Sequence, residues 1–213
     1  KVTVDGKTIT KPGHFVNENA EIKLNTTEQY VSRAGLKLAS VAKLLHVPFN
    51  DAVVLDVGSS TGGFTDYSLQ NGAQKVYSVD VGTDQLHPSL HDNPKIELHE
   101  KTDIRDFYLS EAERPSVVVI DVSFISLREI LPHIAKELAN KNTQIVAMVK
   151  PQFEAGRHQT NKGIIKNDGV RRDILKEFEI WAKDLFVIVD KRDSEVAGSK
   201  GNRERFYLLK PTK

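Results

Sequence analysis

One segment, residues 58–63, restricts the fold of this chain more than any other. It has the sequence Gly58-Ser59-Ser60-Thr61-Gly62-Gly63, directly after the apolar run 53–57 and directly before a helical pattern over 64–69. A strand, a glycine-rich turn and a helix in this order form a nucleotide-binding corner of an α/β sheet. The glycines let the backbone approach a ligand, and the helix N-terminus offers free N–H groups. We therefore predict a nucleoside cofactor at this corner.

Two carboxylates support this interpretation. Asp80 ends the next apolar run, 22 residues after Gly58, and Asp56 lies at the end of the first run. A carboxylate at about the offset of Asp80 can accept hydrogen bonds from both hydroxyls of a ribose. Glycines alone also serve simply to turn a strand into a helix, and the two acids make that alternative less favourable.

The turn differs from the dinucleotide-binding motif, because Ser60 replaces its middle glycine. That glycine is the one that lets a pyrophosphate approach, so a nicotinamide-dependent oxidoreductase is disfavoured. An adenosyl group with a small charged tail, as in S-adenosylmethionine, needs a less cramped loop. We expect Asp80 to bind the ribose, residues 58–63 to surround the methionine moiety and Asp103 to lie near the adenine. The predicted cofactor-binding residues are Asp56, Gly58, Ser59, Ser60, Thr61, Gly62, Gly63, Phe64, Asp80, Val81, Asp103 and Asp121.

Composition narrows the class of protein. The chain has 213 residues, 39% hydrophobic and 28% charged, which fits one sizeable globular domain with a small appendage. The net charge of +1 gives no global nucleic-acid signature. The absence of cysteine excludes disulfides and suits a cytoplasmic protein. No apolar stretch approaches the ~18 residues of a membrane span, no signal peptide is visible, and no histidine pair has convincing metal-ligand spacing.

The hydrophobic pattern predicts an α/β fold. Strands are expected at 53–57, 75–80, 96–100, 116–121, 144–149, 186–191 and 205–210, and helices at 63–71, 85–91, 127–139 and 169–183. Five near-continuous apolar strands alternating with helices predict a parallel sheet covered on both faces. The last two strands are joined by a turn-rich link and predict an antiparallel hairpin. A seven-stranded, mainly parallel sheet with a terminal antiparallel hairpin is typical of class I S-adenosylmethionine-dependent methyltransferases.

The N-terminal part has a different pattern. Residues 1–24 contain short β-structure with a turn at Asp5-Gly6, and they are too few to form a core alone. Residues 25–30 are polar and predict a linker, after which Ser32 caps a helix running to about His46. We expect three parts: an appendage at 1–24, a linker at 25–30 and the main domain at 31–213. Because the chain begins at Lys1 without an initiator methionine, we also expect an N-terminal truncation.

Polar residues at the strand ends are the candidates for chemistry, since ligands of open α/β sheets bind there. Asp121 follows the fourth strand of the main domain, and Lys150 closes the fifth. A lysine that closes an apolar strand is poorly explained by solubility. A structural ion pair for Lys150, and a helix cap or loop anchor for Asp121, remain alternatives.

Several of these motifs together resemble the TlyA family of ribosomal-RNA 2′-O-methyltransferases, which is related to the FtsJ/RrmJ group and whose members often carry the name hemolysin A. The matching segments cover essentially the whole chain. They are 31–38, 56–65, 80–86, 121–127, 149–154 and 201–206. The family begins with an S4 RNA-binding domain, and residues 1–24 look like the C-terminal part of such a domain.

The resemblance implies a Lys-Asp-Lys-Glu tetrad at Lys37, Asp121, Lys150 and Glu204, with Glu195 as a competitor for the last position. Lys150 would be the base or would orient the hydroxyl, Asp121 and Glu204 would position it, and Lys37 would hold the ribose or phosphate. Clustered cations are expected to contact RNA: Arg33, Arg157, Lys162, Lys166, Lys200 and Arg203. Phe124 and Phe153 are interpreted either as stacking partners of a flipped base or as core residues.

The expected function is methyl transfer from S-adenosylmethionine to a ribose 2′-OH of ribosomal RNA within ribosomal subunits, with cytidine implied by the resemblance. A non-catalytic RNA-binding or ribosome-assembly factor on the same fold is the alternative. A membrane-lytic protein is disfavoured because no long apolar segment or cationic amphipathic helix is present.

Overall fold

The computed structural model describes residues 2–11, 13–24, 29–156, 164–165, 167–198 and 201–212. Its strands are β1 (Val2–Val4), β2 (Lys7–Ile9), β3 (Ile22–Leu24), β4 (Val53–Val57), β5 (Lys75–Val79), β6 (Ile96–His99), β7 (Val117–Ile120), β8 (Gln144–Val149), β9 (Phe186–Asp193) and β10 (Arg205–Pro211). Its α-helices are α1 (Arg33–Ala42), α2 (Gly63–Gln70), α3 (Leu127–His133), α4 (Pro151–Glu154) and α5 (Asp168–Ala182).

Seven strands form the central sheet in the order β6-β5-β4-β7-β8-β10-β9. The first five pair in parallel, and β10 runs antiparallel to both β8 and β9. The predicted mainly parallel sheet with an antiparallel hairpin is therefore confirmed. The reversal of strand order on either side of β4 creates the crevice in which such sheets bind ligands.

The sheet is buried on both faces, which explains its uninterrupted apolar strands. Leu55 of β4 belongs to a core cluster with Ile130 of α3 and Leu175 of α5. The next residue towards the N-terminus, Val54, belongs to the opposite cluster, with Leu38 of α1 among its members. Because successive strand side chains point to opposite faces, one strand supplies both cores.

Two predicted helices differ from the structure. A helix over 85–91 is wrong, because that segment contains only a 3₁₀ turn at Pro88–Leu90. The helix predicted over 127–139 is α-helical to His133 and continues as a π-helical turn, Ile134–Leu138. Pro132 lies inside α3 and has no N–H to donate, and the wider turn begins two residues after it.

A close contact between two glycines places α1 against α2. A Cβ on Gly35 would lie 2.5 Å from the Cβ of Tyr30 and 3.0 Å from the carbonyl oxygen of Gly63. A Cβ on Gly63 would lie 2.8 Å from the Cβ of Ala34. No larger residue fits at either position without movement of the backbone. This contact brings α1, which carries Lys37, over the carboxyl ends of the strands.

The N-terminal segment forms a separate three-stranded antiparallel sheet in the order β2-β1-β3. Its tight turn at Asp5-Gly6 has positive φ angles of 47° and 78°, as expected for a two-residue hairpin. Most of the predicted linker, residues 25–28, lies outside the described residues. Within the described ranges, no helix has the length and apolar composition needed to cross a bilayer.

Candidate active site

Three neighbouring cavities lie at the carboxyl ends of β4, β5, β7 and β8. We call them the Asp80 cavity, of about 390 Å³, the Lys37 cavity, of about 510 Å³, and the connecting cavity, of about 150 Å³. Ser123 lines all three of them. Two spaces large enough for small-molecule or nucleotide groups therefore meet at one point of the sheet edge.

The Asp80 cavity is lined by the glycine-rich turn and by the loops after β5 and β7. Asp80 is held rigidly at its rim, since its Oδ2 accepts from the backbone N–H of Ser60 at 2.8 Å and its Oδ1 from that of Gly82 at 2.7 Å. A carboxylate has about four acceptor positions, so two remain for a ligand. The predicted cofactor residues that line this cavity are Gly58, Ser60, Asp80, Val81, Asp103 and Asp121.

The turn comes close to the loop after β7 because Gly58 has no side chain. Its φ is 80°, and a Cβ there would lie 2.9 Å from the carbonyl oxygen of Asp121. Gly62 also has a positive φ, 87°, and a Cβ there would lie 2.6 Å from Leu90 Cδ1. Leu86 and Leu90 thus cover the turn from outside. Ser59, Thr61 and Phe64 line the connecting cavity, whereas Gly62 and Gly63 line none of the three.

Asp103 lines the Asp80 cavity, but its carboxylate already has protein partners. Its Oδ1 accepts from the backbone N–H of Arg105 at 2.9 Å, and its two oxygens accept from the Arg105 guanidinium at 3.0 and 2.6 Å. These hydrogen bonds lower the pKa of Asp103 to about 2. The proposed contact with an adenine amine therefore depends on the remaining acceptor positions of a fully charged carboxylate.

Asp56 lies behind the turn and lines none of the three cavities. It is fully buried, and its Oδ2 accepts from Thr65 Oγ1 at 2.6 Å. The Thr65 hydroxyl lies 2.7 Å from that of Ser78. Burial raises the pKa of Asp56 to about 7, against the opposing effect of the Thr65 hydrogen bond. Its placement makes it a support of the turn.

The four residues of the expected tetrad come together as two ion pairs. Lys150 Nζ lies 2.6 Å from Asp121 Oδ1, and Lys37 Nζ lies 2.6 Å from Glu204 Oε2. Lys150 also donates to Ser123 Oγ at 2.8 Å. Lys37, Lys150 and Glu204 line the Lys37 cavity, and Asp121 lines the two other cavities. The pairs thus lie where the cavities meet.

Strand register explains how residues so distant in sequence meet. β10 pairs with β8 so that Arg205 lies opposite Val149. One step further along this antiparallel pair places Glu204 opposite Lys150. Asp121 directly follows β7, whose Ile120 pairs with Ala147 of β8. Lys37 reaches the same place from α1, above the sheet edge.

The charged side chains of the tetrad have little access to solvent. The side chains of Lys37 and Lys150 are only 11% and 10% exposed, and that of Glu204 only 3%. Burial raises the pKa of Asp121, against the opposing effects of the Lys150 and Lys37 charges. Because the two lysines and the two carboxylates lie close together with little water between them, their charges are coupled.

Two aromatic rings lie beside the Lys37 cavity. Phe124 is 92% exposed with a φ of 67°, and its ring centroid lies 5.2 Å from that of Phe153. Both rings line the cavity. The interpretation of Phe124 as a core residue is therefore wrong. A bulky residue in a left-handed conformation stores local strain, and such residues are concentrated at functional sites, so Phe124 is a candidate for a functional role.

The structure describes two of the six cations that are predicted to contact RNA. Arg33 lines the Lys37 cavity and donates to the carbonyl oxygen of Ala197 at 2.8 Å. Arg203 points away and forms a 3.0 Å ion pair with Asp168. Arg157, Lys162, Lys166 and Lys200 lie outside the described residues. Glu195, the competitor of Glu204, lines none of the three cavities.

Sequence reasoning gave no role to three polar residues that line the Lys37 cavity: Ser123, Gln152 and Asn202. Ser123 lies two residues after Asp121, and Gln152 two residues after Lys150. That spacing was a usable signal, because residues just past a strand end lie at the ligand-binding edge. Asn202 had no such signal. Its Oδ1 accepts from the backbone N–H of Ile165, a contact across 37 residues that only the folded chain reveals.

Similar proteins carry names that agree with this geometry. The chain is 41% identical over 184 residues to the 23S rRNA (cytidine-2′-O)-methyltransferase TlyA of Campylobacter jejuni, covering 85% of this chain and 71% of that protein. It is 39% identical over 207 residues to hemolysin A of Brachyspira hyodysenteriae, covering 95% and 86%. A solved structure from Streptococcus thermophilus, which also carries the name hemolysin, has a TM-score of 0.86 and 39% identity, covering 100% and 79%.

The chain also matches the sequence profile of a whole protein family. The sequence profile of the FtsJ-like methyltransferases fits residues 30–210, which include all four members of the tetrad and all three cavities. The glycine-rich turn, Asp80 and the two lysine–carboxylate pairs thus fall within one contiguous match, and the chain belongs to the FtsJ-like methyltransferase family.

Proposed function

We propose that this protein transfers a methyl group from S-adenosylmethionine to the ribose 2′-OH of a cytidine in ribosomal RNA. One observation carries the proposal: the two lysine–carboxylate pairs lie where the Asp80 cavity meets the Lys37 cavity. Family membership supports methyl transfer. The names of the TlyA relatives supply the 2′-oxygen, the cytidine and the ribosomal RNA.

The Asp80 cavity fits this cofactor. A volume of about 390 Å³ lies within the range of small-molecule sites. Asp80 can accept from both ribose hydroxyls, and the bare backbone of Gly58 leaves room where a Cβ would fill the turn. The Ser59 hydroxyl, beside the connecting cavity, has no hydrogen-bond partner among the described residues. When bound, S-adenosylmethionine supplies a methyl group activated by a sulfonium.

The residues of the chain then have separate tasks. A ribose hydroxyl is a weak nucleophile, so the site must hold it in line with the methyl group and accept its proton. Lys150 in its neutral form takes that proton at Nζ, with Asp121 and Ser123 fixing its direction. Glu204 holds Lys37, whose ammonium group binds the acceptor ribose or its phosphate.

The exposed ring of Phe124 and the half-buried ring of Phe153 supply a surface for the base. A 2′-OH next to a stacked base is hard to reach, so the target nucleotide must leave its stack. Stacking on an aromatic ring contributes roughly 1–3 kcal/mol per base and offsets part of that cost. Arg33, at the rim of the same cavity, is placed to contact a phosphate.

The N-terminal sheet adds a second contact with RNA in this proposal. Residues 1–24 resemble part of an S4 RNA-binding domain, 25–30 link them to the body, and 31–213 form the methyltransferase domain. Such an enzyme acts in the cytoplasm, where ribosomal subunits are assembled.

The test is methylation of isolated ribosomal subunits with radiolabelled S-adenosylmethionine, followed by mass-spectrometric mapping of the modified ribose. The parental protein should add a 2′-O-methyl group to a cytidine, and Lys150→Met should not. Binding of RNA without transfer would instead show an RNA-binding or assembly factor. Methylation of a base rather than a ribose would contradict the assigned chemistry.

A further inference from the structure

A buried arginine outside the tetrad holds the segment that carries Glu204. Arg171 lies on α5 and is 7% exposed. Its Nε donates to the carbonyl oxygen of Arg203 at 3.0 Å, and its Nη2 donates to Asp193 Oδ1 at 2.8 Å. One planar guanidinium thus joins the end of β9 to the residue immediately before Glu204.

Asp193 continues this connection to the residue after Glu204. Its Oδ1 also accepts from Arg205 Nε at 2.6 Å. Burial opposes ionisation of Asp193, but the hydrogen bonds from Arg205 and Arg171 prevail and lower its pKa. Asp193 is therefore a charged anchor between two arginines at neutral pH.

Glu204 is consequently fixed on three sides. The carbonyl oxygen before it is held by Arg171, and its own carbonyl oxygen accepts from Ser194 N–H at 3.0 Å. Arg205 after it is paired with both β8 and β9. With the backbone set, the Glu204 carboxylate meets Lys37 Nζ at 2.6 Å.

We propose that Arg171 is a positioning residue for methyl transfer, acting through the backbone of Arg203 to align Glu204 and thereby Lys37. The inference rests on the proposed function, because it assigns a task to the same site. Arg171 lines none of the three cavities, so it touches neither substrate nor cofactor directly.

The geometry requires an arginine rather than any cation. A guanidinium presents its N–H donors in a rigid plane and can bind a carbonyl oxygen and a carboxylate at once. A lysine has a single point charge on a flexible stem and cannot fix both acceptors in one orientation. Misplacement of a reacting group by about 1 Å can reduce a rate about 100-fold, so a small backbone shift at Arg203 is enough to matter.

The experiment compares Arg171→Lys and Arg171→Gln with the parental protein on ribosomal subunits. Both variants should lose about 10- to 100-fold in kcat, while the Kd for S-adenosylmethionine stays within about twofold. In a Glu204→Gln background, the same substitutions should lower kcat by a further factor of less than about two, because the carboxylate that they align is already gone. Arg192→Gln is the matched control, since Arg192 is on the exposed face of β9 and its guanidinium pairs with Asp190 of the same strand.

Hydrogen exchange gives a readout that does not need activity. The Ser194 amide should exchange faster in both Arg171 variants, because its acceptor is the Glu204 carbonyl oxygen. Parental kcat in Arg171→Gln, an equal loss with and without Glu204, or unchanged Ser194 exchange would each overturn the inference. An inactive parental protein would contradict the proposed function instead, and the exchange measurement would still decide the role of Arg171.

Discussion

At the scale of single residues, burial decides what each charged group at the sheet edge can do. Lys150 and Asp121 form a pair with little access to water, and burial is the main cause that raises the pKa of the acid. Sequence reasoning found both residues, because each directly follows an apolar strand. It did not find Ser123 as a partner of Lys150, since the spacing places this serine at the sheet edge but does not show which side chain it contacts.

Lys150→Met should separate chemistry from binding. Methionine keeps a long apolar stem but cannot accept a proton, so kcat should fall by about 10²- to 10⁴-fold. The Kd for S-adenosylmethionine should stay near the parental value in calorimetry. Lys191→Met, which removes the ion pair of Lys191 on β9 with Glu179 on α5, is the control and should keep parental turnover. Near-parental turnover in Lys150→Met would show that another group takes the proton.

Asp80→Ala should weaken binding of the cofactor rather than slow the chemical step. It removes the acceptor of the ribose hydroxyls, and each lost charge-assisted hydrogen bond costs roughly 1.5–3 kcal/mol. It also frees the backbone N–H groups of Ser60 and Gly82, which loosens the turn. Calorimetric titration should show an affinity at least tenfold weaker. Unchanged affinity would refute the assignment of Asp80 to the ribose.

Asp56 should make stability depend on pH. Its folded-state pKa of about 7 lies above the ordinary value of 3.8, so between these values the folded protein keeps a proton that the unfolded chain releases. The free energy of unfolding contributed by this group therefore falls as pH rises from about 4 to 7. Asp56→Asn cannot titrate, so its stability relative to the parental protein should rise over that window, by up to about 1.4 kcal/mol per pH unit. Urea unfolding at pH 4.5, 6 and 8 measures the difference. A difference that does not vary with pH would show that Asp56 is ionised throughout.

At the scale of elements, the strands were predictable and several helices were not. Continuous apolar runs identify buried parallel strands, and all seven appeared where their pattern indicated. Leu86 and Leu90 have helical spacing, but their side chains serve to cover Gly62. The short helix α4 was not predicted; it begins at Pro151, a position that suits the fixed φ of proline. Local pattern cannot reveal which neighbour a side chain will cover.

The contact between α1 and α2 has a direct test in Gly35→Ala. Alanine favours helices by up to about 1 kcal/mol, but its Cβ would be 2.5 Å from that of Tyr30, and neither atom is a flexible end. The net effect should be a loss of about 1–3 kcal/mol in stability, as for overpacked cores. Turnover should fall as well, because α1 moves together with Lys37. Leu36→Ala, a half-exposed neighbour on the same helix, should change both quantities little. Unaltered melting and turnover in Gly35→Ala would mean that α1 adjusts freely.

At the scale of the whole molecule, the two sheets have different roles in the proposed function: one binds the cofactor and the other contacts RNA. The seven-stranded sheet holds every residue assigned to the cofactor, all of which lie after Ala52. The three-stranded sheet at the N-terminus carries exposed lysines such as Lys7 and Lys11. The sequence predicts a main domain with an appendage, but a net charge of +1 cannot show where cations cluster.

Lys7→Gln combined with Lys11→Gln should weaken RNA binding without affecting the cofactor. Each lost phosphate contact reduces the slope of log K against log salt by about 0.7–0.9. Binding of ribosomal RNA measured at several salt concentrations should therefore show a slope smaller by up to about two. The Kd for S-adenosylmethionine should not change. An identical slope would exclude this sheet from the RNA interface.

The position of β10 has a consequence for biosynthesis. β10 is the last strand in sequence, yet it lies between β8 and β9 in the sheet and directly follows Glu204. A nascent chain that has not yet released residues 204–211 from the exit tunnel lacks the strand that joins β8 to β9 and one member of the tetrad. The enzyme therefore cannot be active before residues 204–211 have left the exit tunnel of the ribosome that is making it.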